Sequence, residues 1–281
     1  MKILRCLILL PAVFFMLQGA MASAADAGSA PEIDARQMVD RAYRQFLELE
    51  NYHMTMDIAS EMEVRGNKVR SYTRSECDLQ AKPLLGRNMM NITMHIAAQK
   101  IEQQIEQYFV EEGGQVVVYS NMDHKWVKQT VPYYSPVDNY LHAIKAVTWA
   151  GENETSLIYT VTADAGYAAG NLERYMDTAA MRKLQLSAQA LKEAGDFNYT
   201  ITIDRQTGAM SGIHMDLTAL MAKISNGLIS SPGTSAEEKK ILKEIFDTMT
   251  LVVDIGFSQL NSAGGIAIPA EARQAEELVV K

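Results

Sequence analysis

The chain has almost no cysteine, and the cysteine it has cannot form a disulfide within a folded domain. Only Cys6 and Cys77 occur among its 281 residues, and Cys6 falls in an N-terminal segment that we expect to be removed. A single remaining thiol excludes a fold held by internal disulfides. Arg5 precedes Cys6 where an acylated lipoprotein cysteine needs small residues, so we expect no lipid anchor.

Recognisable catalytic motifs are also lacking. The sequence contains no G-x-S-x-G, H-E-x-x-H, Walker A or dinucleotide-binding pattern. Its histidines are scattered, and the two near a carboxylate, His124 beside Asp123 and His214 near Asp216, fall in a predicted turn and strand. We therefore expect no enzyme activity, no catalytic residue and no cofactor.

A copper site is a hypothesis that the sequence raises and then disfavours. His53 is followed by Met54, and His95 follows Met94. Imidazole and thioether ligands suit Cu(I), but successive residues of a strand point to opposite faces. One ion could not easily collect both ligand types, and we expect no metal site.

Basic charge is in deficit, and long apolar runs are absent beyond the N-terminus. The formal net charge is −8, and it becomes −10 once Lys2 and Arg5 are removed. Nucleic acid and anionic membrane surfaces are disfavoured as partners. After the N-terminal segment, no run approaches the 18 apolar residues of a membrane span, so the mature chain is predicted to be soluble and not an integral membrane protein.

The N-terminal segment is typical of an export signal. Lys2 and Arg5 precede an apolar run over 7–17, and Ala22-Ser23-Ala24 supplies a small-residue cleavage site. The apolar run is too short to cross about 30 Å of hydrocarbon. We predict a signal peptide at 1–24, a flexible leader at 25–33 and a single domain at 34–281, located in the periplasm or cell envelope.

The rest of the chain alternates between two periods, one typical of helices and one of strands. Met54, Met56 and Ile58 alternate with polar neighbours, which is typical of a strand with one apolar face. The pattern predicts helices at 34–50, 136–147, 172–192 and 235–246, and a mobile loop at 227–234. It predicts strands at 52–64, 68–79, 90–96, 103–110, 115–119, 125–130, 156–162, 199–203, 213–219 and 250–258.

These elements predict an α+β fold that is mainly antiparallel β. Sequential strands with short turns favour hairpins, and a large sheet with one apolar face must close, curl or be covered. We expect a strongly curved half-barrel sheet of about nine to eleven strands with helices packed in its concave face.

Several segments resemble the LolA/LolB/LppX-like superfamily. They are the helix from Ala35 to Tyr43, the strand start Asn51-Tyr-His-Met-Thr-Met, the hairpins at 108–114 and 203–208, Trp126-Val-Lys-Gln and Ile266-Ala-Ile-Pro269. The resemblance spans most of 34–271. It implies a half-barrel around an apolar cavity that holds acyl chains, in proteins that carry or sense lipoproteins or glycolipids. The arginine-containing segment of the lipoprotein carriers is not recognisable here, so no functional residue is carried over.

Methionine is abundant on the predicted apolar faces, and it admits two interpretations. Thioether side chains adapt to variable apolar ligands, but they also fill ordinary cores. Burying a fourteen-carbon chain would contribute on the order of 10 kcal/mol before ordering costs. The predicted lipid-binding residues are Met54, Met56, Met90, Ile92, Met94, Ile213, Met215, Val253 and Ile255.

Two functions therefore stay open. The first is a non-enzymatic exported protein that binds lipid or lipoprotein acyl chains in an apolar cavity. The alternative is a cell-envelope interaction or sensor module that fills its core with its own helices and binds another protein. A close-packed interior would favour the alternative, and a lipid-accessible one the first.

Overall fold

The structure, a computed structural model, describes residues 34–122, 124–132, 143–164, 195–229 and 235–277. The predicted signal, leader and helix at 172–192 lie outside these residues. The described helices are α1 (Ala35–Leu47), α2 (Thr218–Ile229), α3 (Ala236–Thr248) and α4 (Ala270–Arg273). The strands are β1 (Asn51–Val64), β2 (Asn67–Gln80), β3 (Leu85–Ile96), β4 (Gln99–Glu112), β5 (Gln115–Met122), β6 (Lys125–Pro132), β7 (Ile144–Glu152), β8 (Ser156–Asp164), β9 (Asp196–Asp204), β10 (Met210–Asp216), β11 (Thr250–Ser258) and β12 (Glu276–Glu277).

All twelve strands belong to one sheet, in the order β12-β6-β5-β4-β3-β2-β1-β11-β10-β9-β8-β7. Every pair is antiparallel except β12 with β6. Among the described strands the sheet does not close into a barrel, because β12 and β7 are its two ends. The mainly antiparallel β class is confirmed.

The strand count exceeds the predicted nine to eleven because β7 and β12 were not expected. The helix predicted over 136–147 is wrong from Ile144 onward, and its earlier part lies outside the described residues. Ile144, Val147 and Trp149 pair with β8 through two irregular registers, and such β-branched and aromatic side chains favour strands. β12 is two residues long, too short for periodicity to reveal.

The strand predicted to end at Ala219 stops earlier, and α2 follows it. The Asp216 carboxylate accepts a hydrogen bond from the Thr218 backbone N–H at 3.0 Å. Hydrogen bonding from the Thr218 side chain, and next from this N–H, lowers the pKa of Asp216. That arrangement favours a helix start. Because α2 runs to Ile229, the loop predicted at 227–234 is wrong at its first three residues, and 230–234 lie outside the described residues.

The two predicted helices that flank the sheet are confirmed. Asp34 caps α1, where its side chain accepts from the Arg36 backbone N–H at 3.2 Å, and α3 begins one residue after Ser235. Arg36 also donates to the Ile144 carbonyl at 2.9 Å. This bond ties α1 to the edge strand β7.

We call the face of the sheet that carries Met54, Met56 and Ile58 the inner face, and the opposite one the outer face. Apolar residues of α1, α2 and α3 share clusters with inner-face residues. The C-terminal segment lies on the outer face instead, where Ile266, Ile268 and Ala272 pack with Tyr108 and Tyr119. The chain thus uses both faces of the sheet.

Candidate functional site

An apolar row crosses the inner face from β4 to β7 with one residue on each strand. Direct cross-strand pairing connects all nine positions. In strand order they are Ile105, Met90, Ser75, Met56, Ile255, Ile213, Ile201, Tyr159 and Trp149. Eight of these nine are apolar or aromatic, so the inner face offers one hydrophobic surface across most of the sheet's width.

All nine residues of the predicted lining lie on this inner face. The structure places them on β3, β1, β11 and β10, with β2 between the first two. Met54, Met56, Met90, Ile92, Met94 and Val253 are buried, whereas Ile213, Met215 and Ile255 are partly exposed. Strand β2 divides the set in two, because its inner positions carry the small residues Ser71, Thr73, Ser75 and Cys77.

The chain's own helices pack on much of this lining. Met56 and Val253 share a cluster with Leu217, against which Leu220 and Met221 of α2 pack. Met94 shares one with Ile245 of α3. On these strands the apolar face meets protein, as it would in an ordinary core.

At the start of β1, a group of aromatic side chains packs on the inner face. Phe46 of α1 lies 4.9 Å from Tyr52 and 4.6 Å from Phe257, measured between ring centroids. Nearby, the Tyr43 and Tyr199 hydroxyls are 3.0 Å apart, and burial raises the pKa of Tyr199 to about 12. This end of the inner face is well packed.

The inner face over β3 to β6 is arranged differently. Met90, Ile92 and Ile105 form a cluster of their own, which no apolar residue of a described helix joins. Next to it Ile101 is 40% exposed, and Val118 and Val127 are partly exposed. We call these six residues the β3–β6 patch. It carries apolar surface toward solvent at a place on the inner face where no described helix residue joins its buried cluster.

A row of polar side chains runs across this patch, between Ile105 on one side and Val118 on the other. The Ser75 hydroxyl donates to Asn88 Oδ1 at 2.5 Å, Asn88 Nδ2 donates to Gln107 Oε1 at 3.3 Å, and Gln107 Nε2 donates to Ser120 Oγ at 3.0 Å. Ser75 and Asn88 are fully buried, while Gln107 and Ser120 are partly exposed. We call these four residues the polar row.

Sequence reasoning missed the polar row, although the signal was present. Asn88 has the same parity as Met90 in β3, and Gln107 has the same parity as Ile105 in β4. Polar residues at inward positions of two neighbouring strands indicate a buried hydrogen-bond network. Only the strand register shows that they meet.

His53, His95 and His214 lie on the outer face, opposite the methionines of the predicted lining. His53 pairs with Asp78 at 2.8 Å, and His214 pairs with Asp254 at 2.6 Å rather than with Asp216. Within the described ranges no three His, Cys, Asp or Glu side chains group as metal ligands would. These pairs link neighbouring strands on the solvent side of the sheet.

Comparison with known proteins adds little about activity. Residues 34–144 match the sequence profile of a family of unknown function, DUF6612. No curated protein matches the chain. A crystal structure of a DUF1329 family protein from Desulfovibrio piger ATCC 29098 aligns over 85% of this chain and 96% of that one, with 8% identity and a TM-score of 0.25. A likeness at that score supports no conclusion about function.

The matched segment runs from Asp34, before α1, to Ile144, the first residue of β7. It therefore includes the polar row and the β3–β6 patch, together with the strands that carry them. It does not include α2, α3 or β11, which pack on the Met56 side.

No helix in the described ranges combines the length and hydropathy needed to cross a membrane.

The Cys77 thiol gives a direct test of how tightly the inner face is packed. Cys77 has no exposed surface, and burial raises the pKa of its thiol well above the usual range. Since the thiolate is the reactive form, the native protein should react with a thiol reagent at least about a thousandfold more slowly than the urea-unfolded protein. Comparable rates in the two states would mean that β2 opens readily.

Proposed function

We propose that this protein binds the acyl chain of a lipid or lipoprotein on the inner face of its sheet, over β3 to β6, without catalysing a reaction. The observation that carries the proposal is the exposure of Ile101. It pairs directly with the buried Met94, so an apolar surface leads from solvent to the cluster of Met90, Ile92 and Ile105.

The shape of the fold supports this proposal. Twisted sheets of more than about ten strands tend to curl, and we infer that the twelve strands form an open half-barrel with the inner face concave. The helices that pack on the inner face cover its side from β7 to β1, and α3 reaches as far as Met94 on β3. An acyl chain would then occupy the β3–β6 patch, beside the part of the inner face that the helices cover.

The chemistry of the patch suits a flexible hydrocarbon. Each buried methylene contributes about 0.8 kcal/mol, and Met90 can adjust its rotamer to different chain shapes. The inner positions of β3 carry no charged residue, and those of β4 to β6 carry charge only near strand ends, at Glu111 and Lys125. Outer positions of β2, by contrast, hold Arg70, Arg74 and Glu76. Such a surface favours hydrocarbon over a polar ligand. With the predicted export signal, the proposed location is the periplasm or cell envelope.

A pair of exposed apolar residues provides the test. Ile101→Glu should reduce binding of a saturated acyl ligand at least about tenfold, because it places a charge at the edge of the patch. Trp149→Glu is the matched control: Trp149 is 51% exposed and lies on the inner face at the far edge strand. Native mass spectrometry with lipid extraction, on mature protein purified from periplasm without detergent, measures both.

The proposal would be contradicted by purified protein that carries no lipid and also fails to take up added fatty acid or phospholipid. Equal loss of binding in both variants would remove the β3–β6 patch as the site. Whatever the binding result, the thermal unfolding temperature of each variant should match that of the wild type, because Ile101 and Trp149 are both exposed.

The alternative, an envelope interaction or sensor module with a self-filled core, is favoured by a different observation. Met54 and Met56 are each only 2% exposed, and residues from the chain's own helices lie in or against their clusters. If the whole interior is packed in this way, the outer face or an edge strand would bind a protein instead. Purified protein that carries no lipid, and that binds none when lipid is added, would favour this alternative.

A further inference from the structure

The polar row has a direction, and its solvent end is a donor. Ser75 donates to Asn88, Asn88 to Gln107 and Gln107 to Ser120. At the buried end each side-chain nitrogen and oxygen atom of Ser75 and Asn88 has a hydrogen-bond partner. At the other end the Ser120 hydroxyl oxygen is already an acceptor, and no described side chain accepts its hydrogen. The Gln107 amide likewise uses one of its two hydrogens in the row.

These spare donors lie beside the β3–β6 patch. Ser120 pairs directly with Val127, and Gln107 is two positions from Ile105 on the same face of β4. Both residues are partly exposed, so a ligand on the patch can reach them. An acceptor atom at the head of a bound hydrocarbon would satisfy donors that the fold leaves unused.

The surrounding charge decides which acceptor fits. Hydroxyl and amide donors are neutral, and they do not compensate the burial of a full negative charge as an arginine would. Two charged side chains lie on the inner face near this region: Lys125, two positions from Val127, and Glu111, whose carboxylate accepts from the Leu84 backbone N–H at 3.2 Å. The Lys125 ammonium is already 3.7 Å from the Glu276 carboxylate, so no unpaired positive charge in the described part of this region awaits a fatty-acid carboxylate, whereas an uncharged carbonyl oxygen needs none.

We propose that Ser120 and Gln107 bind the carbonyl oxygen of an acyl ester, so that the site selects esterified acyl chains over free fatty acids. This inference rests on the proposed function. It names the ligand class as neutral acyl esters, with the alkyl chain on the β3–β6 patch and the ester at the end of the polar row.

The test compares methyl dodecanoate with dodecanoate at pH 8, where the acid is ionised. The wild type should bind the ester about tenfold more tightly. Ser120→Ala should remove most of this preference, by about two- to tenfold for one hydrogen bond, and Ser120→Thr, which keeps the hydroxyl, should retain it. Ser71→Ala is the control, because Ser71 is a partly exposed inner-face hydroxyl on β2, outside the polar row.

The outcomes separate this inference from the proposed function. Binding of both ligands with equal affinity, or an ester preference that survives Ser120→Ala, overturns the ester assignment alone. Binding of neither ligand by the wild type overturns the proposed function and this inference with it. If Ser120→Ala unfolds, the Ser120→Thr variant and the wild-type preference still decide the question.

Discussion

Replacing Asn88 with alanine should lower the free energy of unfolding by about 3 kcal/mol. Asn88 has no exposed surface, and it joins Ser75 to Gln107 through two hydrogen bonds. Its removal leaves a buried hydroxyl and an amide oxygen unpaired, and each unsatisfied buried group costs about 1–3 kcal/mol. Urea unfolding followed by circular dichroism measures the change.

Asn91 is the matched control on the same strand. It lies on the outer face, is exposed, and accepts from Gln104 at 3.0 Å. Asn91→Ala should change stability by no more than about 0.5 kcal/mol, because water replaces the lost partner. Similar effects at the two positions would mean that water reaches Asn88 and replaces the partners that Ser75 and Gln107 provide.

Much of the fold could be predicted because strand alternation is a local signal. Ten of the twelve described strands follow from two local signals, which are polarity with a period of two, as in Met54, Met56 and Ile58, and the turn residues between strands. The strand β7 could not be predicted in this way. Ile144, Val147 and Trp149 are the large apolar residues there, and two bulges interrupt the pairing, so their spacing is uneven where the chain pairs with β8.

The candidate site was predictable only in part, for a different physical reason. Parity places Met56 and Met90 on the same apolar surface, but it does not determine whether that surface meets a helix or a ligand. Met56 lies against α2, a helix that the sequence did not indicate, whereas Met90 lies in a cluster without a described helix residue. That distinction depends on tertiary packing.

Replacing Met56 with alanine should be among the most destabilising truncations in the chain, at about 3 kcal/mol. Met56 is 2% exposed and packs with Leu217 and Val253. Truncating a buried methionine removes its burial and leaves a cavity, which together cost about 2–5 kcal/mol. Chemical unfolding measures the loss, and Met56→Leu, which conserves volume, should cost less than about 1.5 kcal/mol.

The same variant distinguishes a packing role for Met56 from a role in the ligand site. If Met56 packs on α2, Met56→Ala should lose stability while acyl binding, measured below its unfolding transition, stays close to that of the wild type. If Met56 instead lines the ligand site, as its sequence pattern predicted, binding should weaken as well. Met89→Ala is the control, because Met89 lies on the outer face of β3 and is partly exposed; it should alter neither quantity appreciably. A loss of binding at Met56 equal to that at Ile101 would extend the acyl site across β2 to β1, and the helices α2 and α3 would then have to move for the ligand to enter.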